Sequence, residues 1–330
     1  MADFNITRAA HAEVRVTDFR KARKFYVDAL GMVEIGCDKE RIYLGGFEER
    51  DRFSLVLRKA DSPGLGHLAF RVAAEEDLDK IEHLFRAHKL ATRWITPGEF
   101  EEGQGRALRV QDPLGLPLEF FHQIEQRERL LQRFDLYRGA GVMRIDHFNV
   151  QVPDVTRAYD WWTEKLGFYC SEYTVTDDQR EKYWAVWLHR KQNVHDIAIM
   201  NGIGPRLHHI GLWLENTQSV LRACDVLASM GLVQCIERGP GRHGLSNAFF
   251  LYLRDLDNNR VELFTSDYLI PDPDFKPIKW KLSDPRRATF WGHHPPKSWF
   301  EEASLVEDIN NGKFLPTSEP CEVGRPSFIT

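Results

Sequence analysis

The stretches HAEVRVTDFRKARKFYVDALGM (residues 11–32) and HFNVQVPDVTRAYDWWTEKLGF (147–168) are two copies of one pattern. Each opens on a His, alternates as a strand, turns at an Asp and runs into an amphipathic segment closed by Leu-Gly. A duplication constrains the fold more than any single propensity, because each copy must bury the same faces. Asp18 and Asp154 are predicted helix N-caps, and Gly31 and Gly167 the C-terminal stops. GHLAFRV (66–72) matches HHIGLWL (208–214), and helical patterns follow both, at 77–90 and 219–232. DPLGLPLEFF (112–121) matches DLDNNRVELF (255–264), each with a Glu seven residues after its Asp.

The chain therefore divides into four modules, at about 11–67, 67–122, 147–200 and 209–265. Each is a strand, a helix and several further strands, which predicts an α+β fold with sheets curled around a cleft and helices outside. Residues 1–123 and 144–268 are the predicted domains, with two modules each. Segment 124–143, whose stretch 124–141 is charged and ends Gly-rich, connects them, and 269–330 is a Pro- and Trp-rich tail that either straps the surface or closes a site. A net charge of -5 and no long basic tract argue against nucleic acid. No apolar run approaches the ~18–20 residues of a membrane span. Five scattered cysteines without a CxxC suit a reducing cytoplasm, the expected location.

RLHHIGLWL (206–214) poses a choice between two histidines. Strand neighbours point to opposite faces. The repeat aligns His209 with His67 and His208 with Gly66, so His209 is expected inward and His208 on the other face without a function. On this basis His208→Ala should leave metal content unchanged. First strands of modules three and four then offer His147 and His209, and the last strand offers Glu262. Two imidazoles and one carboxylate with open positions suit Fe(II) or Mn(II), and similar sets hold catalytic zinc. In the front half His11, His67 and Glu119 repeat the set: 67 to 119 spans 52 residues, 209 to 262 spans 53. Other features are not repeated. VHDIAI (194–199) corresponds to DRFSLV (51–56), Tyr252 corresponds to Arg109, and His243 has no counterpart. The front half is therefore expected to lack a working site.

GRHGLSNAFFLYLRDLDNNRVELF (241–264) resembles the signature of the type I extradiol ring-cleaving dioxygenases, of the vicinal oxygen chelate fold. Gly241, His243, Leu251, Tyr252, Asp255 and Glu262 match that signature; Leu256 and Asn258 depart from it in a turn that Asp-Asn-Asn still serves. IDHFN (145–149), HRKQNVHD (189–196), GPRLHH (204–209), IERGPGRHG (236–244) and SWFEEASLV (298–306) extend the likeness along the chain. The resemblance implies four βαβββ modules and Fe(II), or Mn(II), held by His147, His209 and Glu262. It implies His195 beside O2 as an acid–base group, Tyr252 and His243 on the substrate oxygens, and Asn149 on O2 or substrate. Arg238 and Arg287 are the cations chosen for a substrate carboxylate, and Trp187 and Trp299 the candidate pocket walls. The implied reaction opens 3,4-dihydroxyphenylacetate with O2 to 5-carboxymethyl-2-hydroxymuconate semialdehyde, in a homotetramer. Three alternatives share the fold, the first being extradiol cleavage of another catechol. A glyoxalase-like metal isomerase needs a further Glu that HDIAIM does not offer, and a non-catalytic binding protein dispenses with the ligands that this chain keeps.

Overall fold

The computed structural model describes residues 2–322 and 324. Four βαβββ modules follow one another. The first is β1 (Ile6–Val16), α1 (Phe19–Ala22), β2 (Val33–Cys37), β3 (Arg41–Gly45) and β4 (Leu55–Lys59). The second is β5 (Gly64–Val72), α2 (Glu76–Ala87), β6 (Thr92–Ile95), β7 (Ala107–Gln111) and β8 (Pro117–Phe121). The third is β9 (Val142–Val152), α3 (Val155–Asp160), β10 (Tyr169–Val175), β11 (Tyr183–His189) and β12 (Ile197–Asn201). The fourth is β13 (Arg206–Leu214), α4 (Thr217–Ser229), β14 (Ile236–Arg242), β15 (Phe249–Arg254) and β16 (Arg260–Thr265). The α+β expectation and its module order hold. β9 starts at Val142, two residues inside the stretch read as connector.

Local chemistry explains the repeat. Asp18 accepts hydrogen bonds from the Arg20 and Lys21 amides, and Asp154 from that of Arg157, so both caps form. Gly31 and Gly167 stop the helices at φ +77° and +74°, where a Cβ would be strained. Both helices pass into a π-helical turn before stopping, at Arg23–Ala29 and Trp161–Lys165. No sequence pattern marked these turns. Helix α2 buries Leu78, Ile81 and Phe85, and α4 buries Val220, Ala223 and Leu227. Each fully buried aliphatic or aromatic side chain is worth roughly 1.5–3 kcal/mol, which holds the helices against the outer faces of the sheets.

Each half closes into one curved sheet around the pairing of its two first strands. The front sheet runs β2-β3-β4-β1-β5-β8-β7-β6, and the back sheet β14-β15-β16-β13-β9-β12-β11-β10. Tail strand β17 (Ile278–Lys281) extends the back sheet beside β10, and β18 (Ser304–Leu305) pairs with β13 after helix α5 (Ser298–Glu301). The halves meet through rings: Phe70 of β5 lies edge-on to Phe148 of β9 at 5.7 Å and to Trp162 at 5.5 Å.

The central pairings are not regular. Between β9 and β13 the register skips Asp146 on one strand and His208 on the other, each immediately before a candidate ligand. Between β1 and β5 it skips Ala10 and Gly66 in the same way. Such bulges re-aim side chains next to functional sites.

Candidate metal and substrate site

The concave face of the back sheet holds a cleft of about 720 Å³ of empty space. His147 of β9, His209 of β13 and Glu262 of β16 stand side by side at its base, their ligating atoms all within 4.8 Å of one another. The pairings explain the convergence: Gly211, two residues past His209, lies opposite both His147 and Glu262 on its two neighbours. A Cβ at Gly211 would overlap the His147 ring, so the close approach requires glycine here. Glu262 Oε2 is 3.0 Å from His147 Nε2 and 3.2 Å from His209 Nε2. Burial opposes ionising Glu262, yet His147, His209 and His243 hold its carboxyl well below the usual range. Burial also pulls on His147, but Asp146 and Glu262 outweigh it and raise the imidazole to about 9. Burial lowers His209 to about 4 against the pull of Glu262. A charge-balanced cluster of one carboxylate and two imidazoles, all buried, is the donor set that Fe(II) or Mn(II) takes. The residues present fit the ion.

The remaining predicted residues surround this cluster. The His195 ring lies 4.0 Å from that of His147, and its Nδ1 is buried without a hydrogen-bond partner among the described residues. Burial, and then the neighbouring His147, keep its imidazole well below the usual range, hence neutral. Asn149 lines the same cleft with an unpartnered Oδ1. Tyr252 OH is 2.8 Å from His243 Nε2, while His243 Nδ1 is 2.5 Å from the Ala288 carbonyl. That carbonyl only accepts, so Nδ1 carries the proton and Nε2 accepts from the tyrosine. Burial lowers His243 and raises Tyr252 well above its ordinary value, and both stay neutral.

Trp187 and Trp299 line the cleft, as do Arg238 and Arg287. Arg238 stacks over Phe250 and donates to the Ala288 carbonyl at 3.0 Å and Thr289 Oγ1 at 2.7 Å. Arg287 is less committed: its Nε is buried and unpartnered, and Nη1 reaches Thr174 Oγ1 only at 3.5 Å. Burial brings both guanidiniums down to about 10, still charged at neutral pH. The tail does more than strap the surface, since it supplies Arg287, Ala288, Pro295, Trp299 and Phe300 to the wall.

Two features were not anticipated. Asp146, the neighbour of His147, turns its Oδ2 to within 3.4 Å of His147 Nδ1 and also accepts from Asn193 Nδ2 at 2.9 Å. The Asp-His pair in IDHFN was its only signal. His208 was expected on the opposite face, and that is corrected here. The bulge breaks the alternation, and His208 Nδ1 lies 2.7 Å from His209 Nδ1.

The front half brings together a second set of ligand-like residues: one ligand atom each of His11, His67 and Glu101 lie within 4.8 Å of one another, all buried. His11 Nε2 and His67 Nε2 are 3.2 Å apart, and Glu119 Oε1 is 3.5 Å from His11. Arg109, at the Tyr252 position, donates to Glu119 Oε2 at 2.6 Å and to Glu101 Oε1 at 2.9 Å. A guanidinium thus already pairs with both carboxylates, and the rings of Phe53 and Phe121 lie 5.2 Å and 5.3 Å from that of His11. Metal analysis of protein loaded with excess Fe(II) or Mn(II) and then desalted is therefore expected to give one ion per chain. Two would mean that Arg109 does not close the front site.

Comparison with known proteins agrees with this geometry. The model of the Glyoxalase/Bleomycin resistance protein/Dioxygenase superfamily matches residues 8–120 and 144–263, one match per half. The chain belongs to this superfamily. Within it, the chain is 32% identical over 301 residues to a manganese-dependent 2,3-dihydroxybiphenyl 1,2-dioxygenase of Geobacillus genomosp. 3, covering 87% of this chain and 93% of the relative. It is 31% identical to a metapyrocatechase of Pseudomonas sp. (strain CF600), covering 87% and 94%. Among superfamily structures, homoprotocatechuate 2,3-dioxygenase of Brevibacterium fuscum in complex with 3,4-dihydroxyphenylacetate superposes with a TM-score of 0.91 at 42% identity, covering 96% of this chain and 98% of that one.

Proposed function

We propose that this protein is an extradiol catechol dioxygenase, using Fe(II) or Mn(II) at His147, His209 and Glu262 to open a carboxylated catechol, 3,4-dihydroxyphenylacetate foremost. The observation that carries the reading is the buried two-imidazole, one-carboxylate cluster at the base of a cleft whose wall holds two buried arginines. A metal in that cluster supplies a meeting point for catechol and O2 and a route for electrons between them.

The protein's own groups account for the rest. Tyr252 and His243 form a ready proton-sharing pair: a catechol hydroxyl approaching the tyrosine oxygen can pass its proton toward His243. His195, neutral and with a free ring nitrogen, suits the acid–base role on the O2 side, and Asn149 offers an amide beside it. Arg287 has unspent donors for a carboxylate, and Arg238 reinforces the positive wall. Trp187 and Trp299 line the cleft that would take the ring. The products contain both oxygen atoms of O2, so a semialdehyde forms without release of any fragment.

No described helix is long and apolar enough to cross a membrane. A cytoplasmic homotetramer remains the expected form, and light scattering of the purified protein measures its assembly.

The direct test is anaerobic loading with Fe(II) or Mn(II), then a panel of catechols and air. A yellow semialdehyde and one O2 consumed per catechol are expected, fastest with 3,4-dihydroxyphenylacetate. No O2 uptake with any catechol at full metal loading would overturn the reading. A preference for uncharged catechols would overturn the carboxylate part alone.

A further inference from the structure

The bulge that displaced His208 from its expected face also gives it a partner at each ring nitrogen. Its Nε2 lies 2.9 Å from the backbone carbonyl of Trp299, and its Nδ1 lies 2.7 Å from His209 Nδ1. The carbonyl accepts and never donates, so His208 Nε2 carries a proton. In neutral His208, Nδ1 is then bare and can only accept, which places the proton of the second bond on His209 Nδ1. His209 Nε2, the atom facing Glu262, is left with its lone pair toward the cluster. One carbonyl of the tail thus sets the tautomer of a metal ligand through one intervening imidazole.

The front half supplies an internal control. Its sheet carries bulges at the matching places, but Ala10 and Gly66 occupy them. Neither has a side chain that can hydrogen-bond, and His11 Nδ1 and His67 Nδ1 are buried without partners among the described residues. Both bulged residues of the back half, Asp146 and His208, instead face the Nδ1 of the next histidine. The backbone device occurs in both halves, and the hydrogen-bonding side chain only in the half with the cleft. Arg260 holds the arrangement from behind: its Nη1 donates to the His208 carbonyl at 3.2 Å and to the Glu302 carbonyl at 3.0 Å.

We propose that His208 is a positioning residue that locks His209 in its Nδ1–H tautomer, ties the tail to the metal site and so raises metal affinity. The proposal rests on His209 being a metal ligand. Removing such outer partners from metal-binding histidines typically costs roughly 10–100-fold in affinity.

The test titrates Mn(II) into the full chain and follows the loss of the free-ion electron paramagnetic resonance signal. His208→Phe keeps a ring against Trp299, whose ring lies 4.4 Å from that of His208, but supplies neither donor nor acceptor. His208→Gln supplies both. Expected are a roughly 10–100-fold weaker dissociation constant for His208→Phe, unchanged stoichiometry at saturation, and recovery of most of the affinity in His208→Gln. Equal affinity in His208→Phe and the parent, or equal loss in both variants, would overturn the proposal. If the parent chain binds no Mn(II), the functional reading fails instead. Should His208→Phe not fold, nitrogen-15 NMR of the Zn(II)-loaded parent decides: coordination through His209 Nε2 with a proton on His209 Nδ1 is expected. A proton on His208 Nδ1 would contradict it.

Discussion

His209→Ala is expected to remove both the bound metal and turnover. Two remaining donors, His147 and Glu262, cannot hold a divalent ion against water as three do. The loss should therefore exceed the roughly 10–100-fold cost of an outer partner. His147→Ala should behave alike. So should Gly211→Ala, because the new methyl would overlap the His147 ring and force it out of the cluster. Metal content after desalting and kcat with excess ion measure both effects. A His209→Ala protein that retains one tightly held ion per chain and its activity would place the metal elsewhere.

Arg287→Leu is expected to cost selectivity. A charge-assisted hydrogen bond is worth about 1.5–3 kcal/mol, or roughly 10–150-fold in kcat/KM. That loss should fall on 3,4-dihydroxyphenylacetate, whereas 4-methylcatechol has no carboxylate to lose and should suffer much less. The ratio of the two kcat/KM values is the readout. Arg287 is preferred to Arg238 for this test, since Arg238 also braces the tail through Ala288 and Thr289. An unchanged ratio would remove Arg287 from substrate recognition.

Much of this architecture is legible in the sequence, and for a physical reason. A duplicated module repeats its caps, strand alternation and turn chemistry, so comparing halves separates what every module needs from what only one uses. Asp18 and Asp154, Gly31 and Gly167 belong to the first kind; His195, Tyr252 and His243 to the second. Alternation failed where the backbone departs from regular pairing. The bulges at Asp146 and His208 depend on long-range register between β9 and β13, which leaves no local mark, and both outer partners were missed on that account. Glu101 was missed for a related reason: it reaches the front cluster from the loop between β6 and β7, the counterpart of the loop that carries His243, where the two sequences share no ligand residue. The π-helical turns at Arg23–Ala29 and Trp161–Lys165 were equally silent, because helical periodicity looks the same on either side of them.

The central claim is that the cluster of His147, His209 and Glu262 serves insertion of O2 into a catechol ring. Turnover of 3,4-dihydroxyphenylacetate by the metal-loaded protein under 18O2, with the aldehyde trapped by borohydride as it forms, tests it most directly. Mass spectrometry should find two 18O atoms in each opened ring. A product that carries no label, or a catechol altered without O2 consumption, would contradict the assignment and return the site to isomerase chemistry or to simple binding.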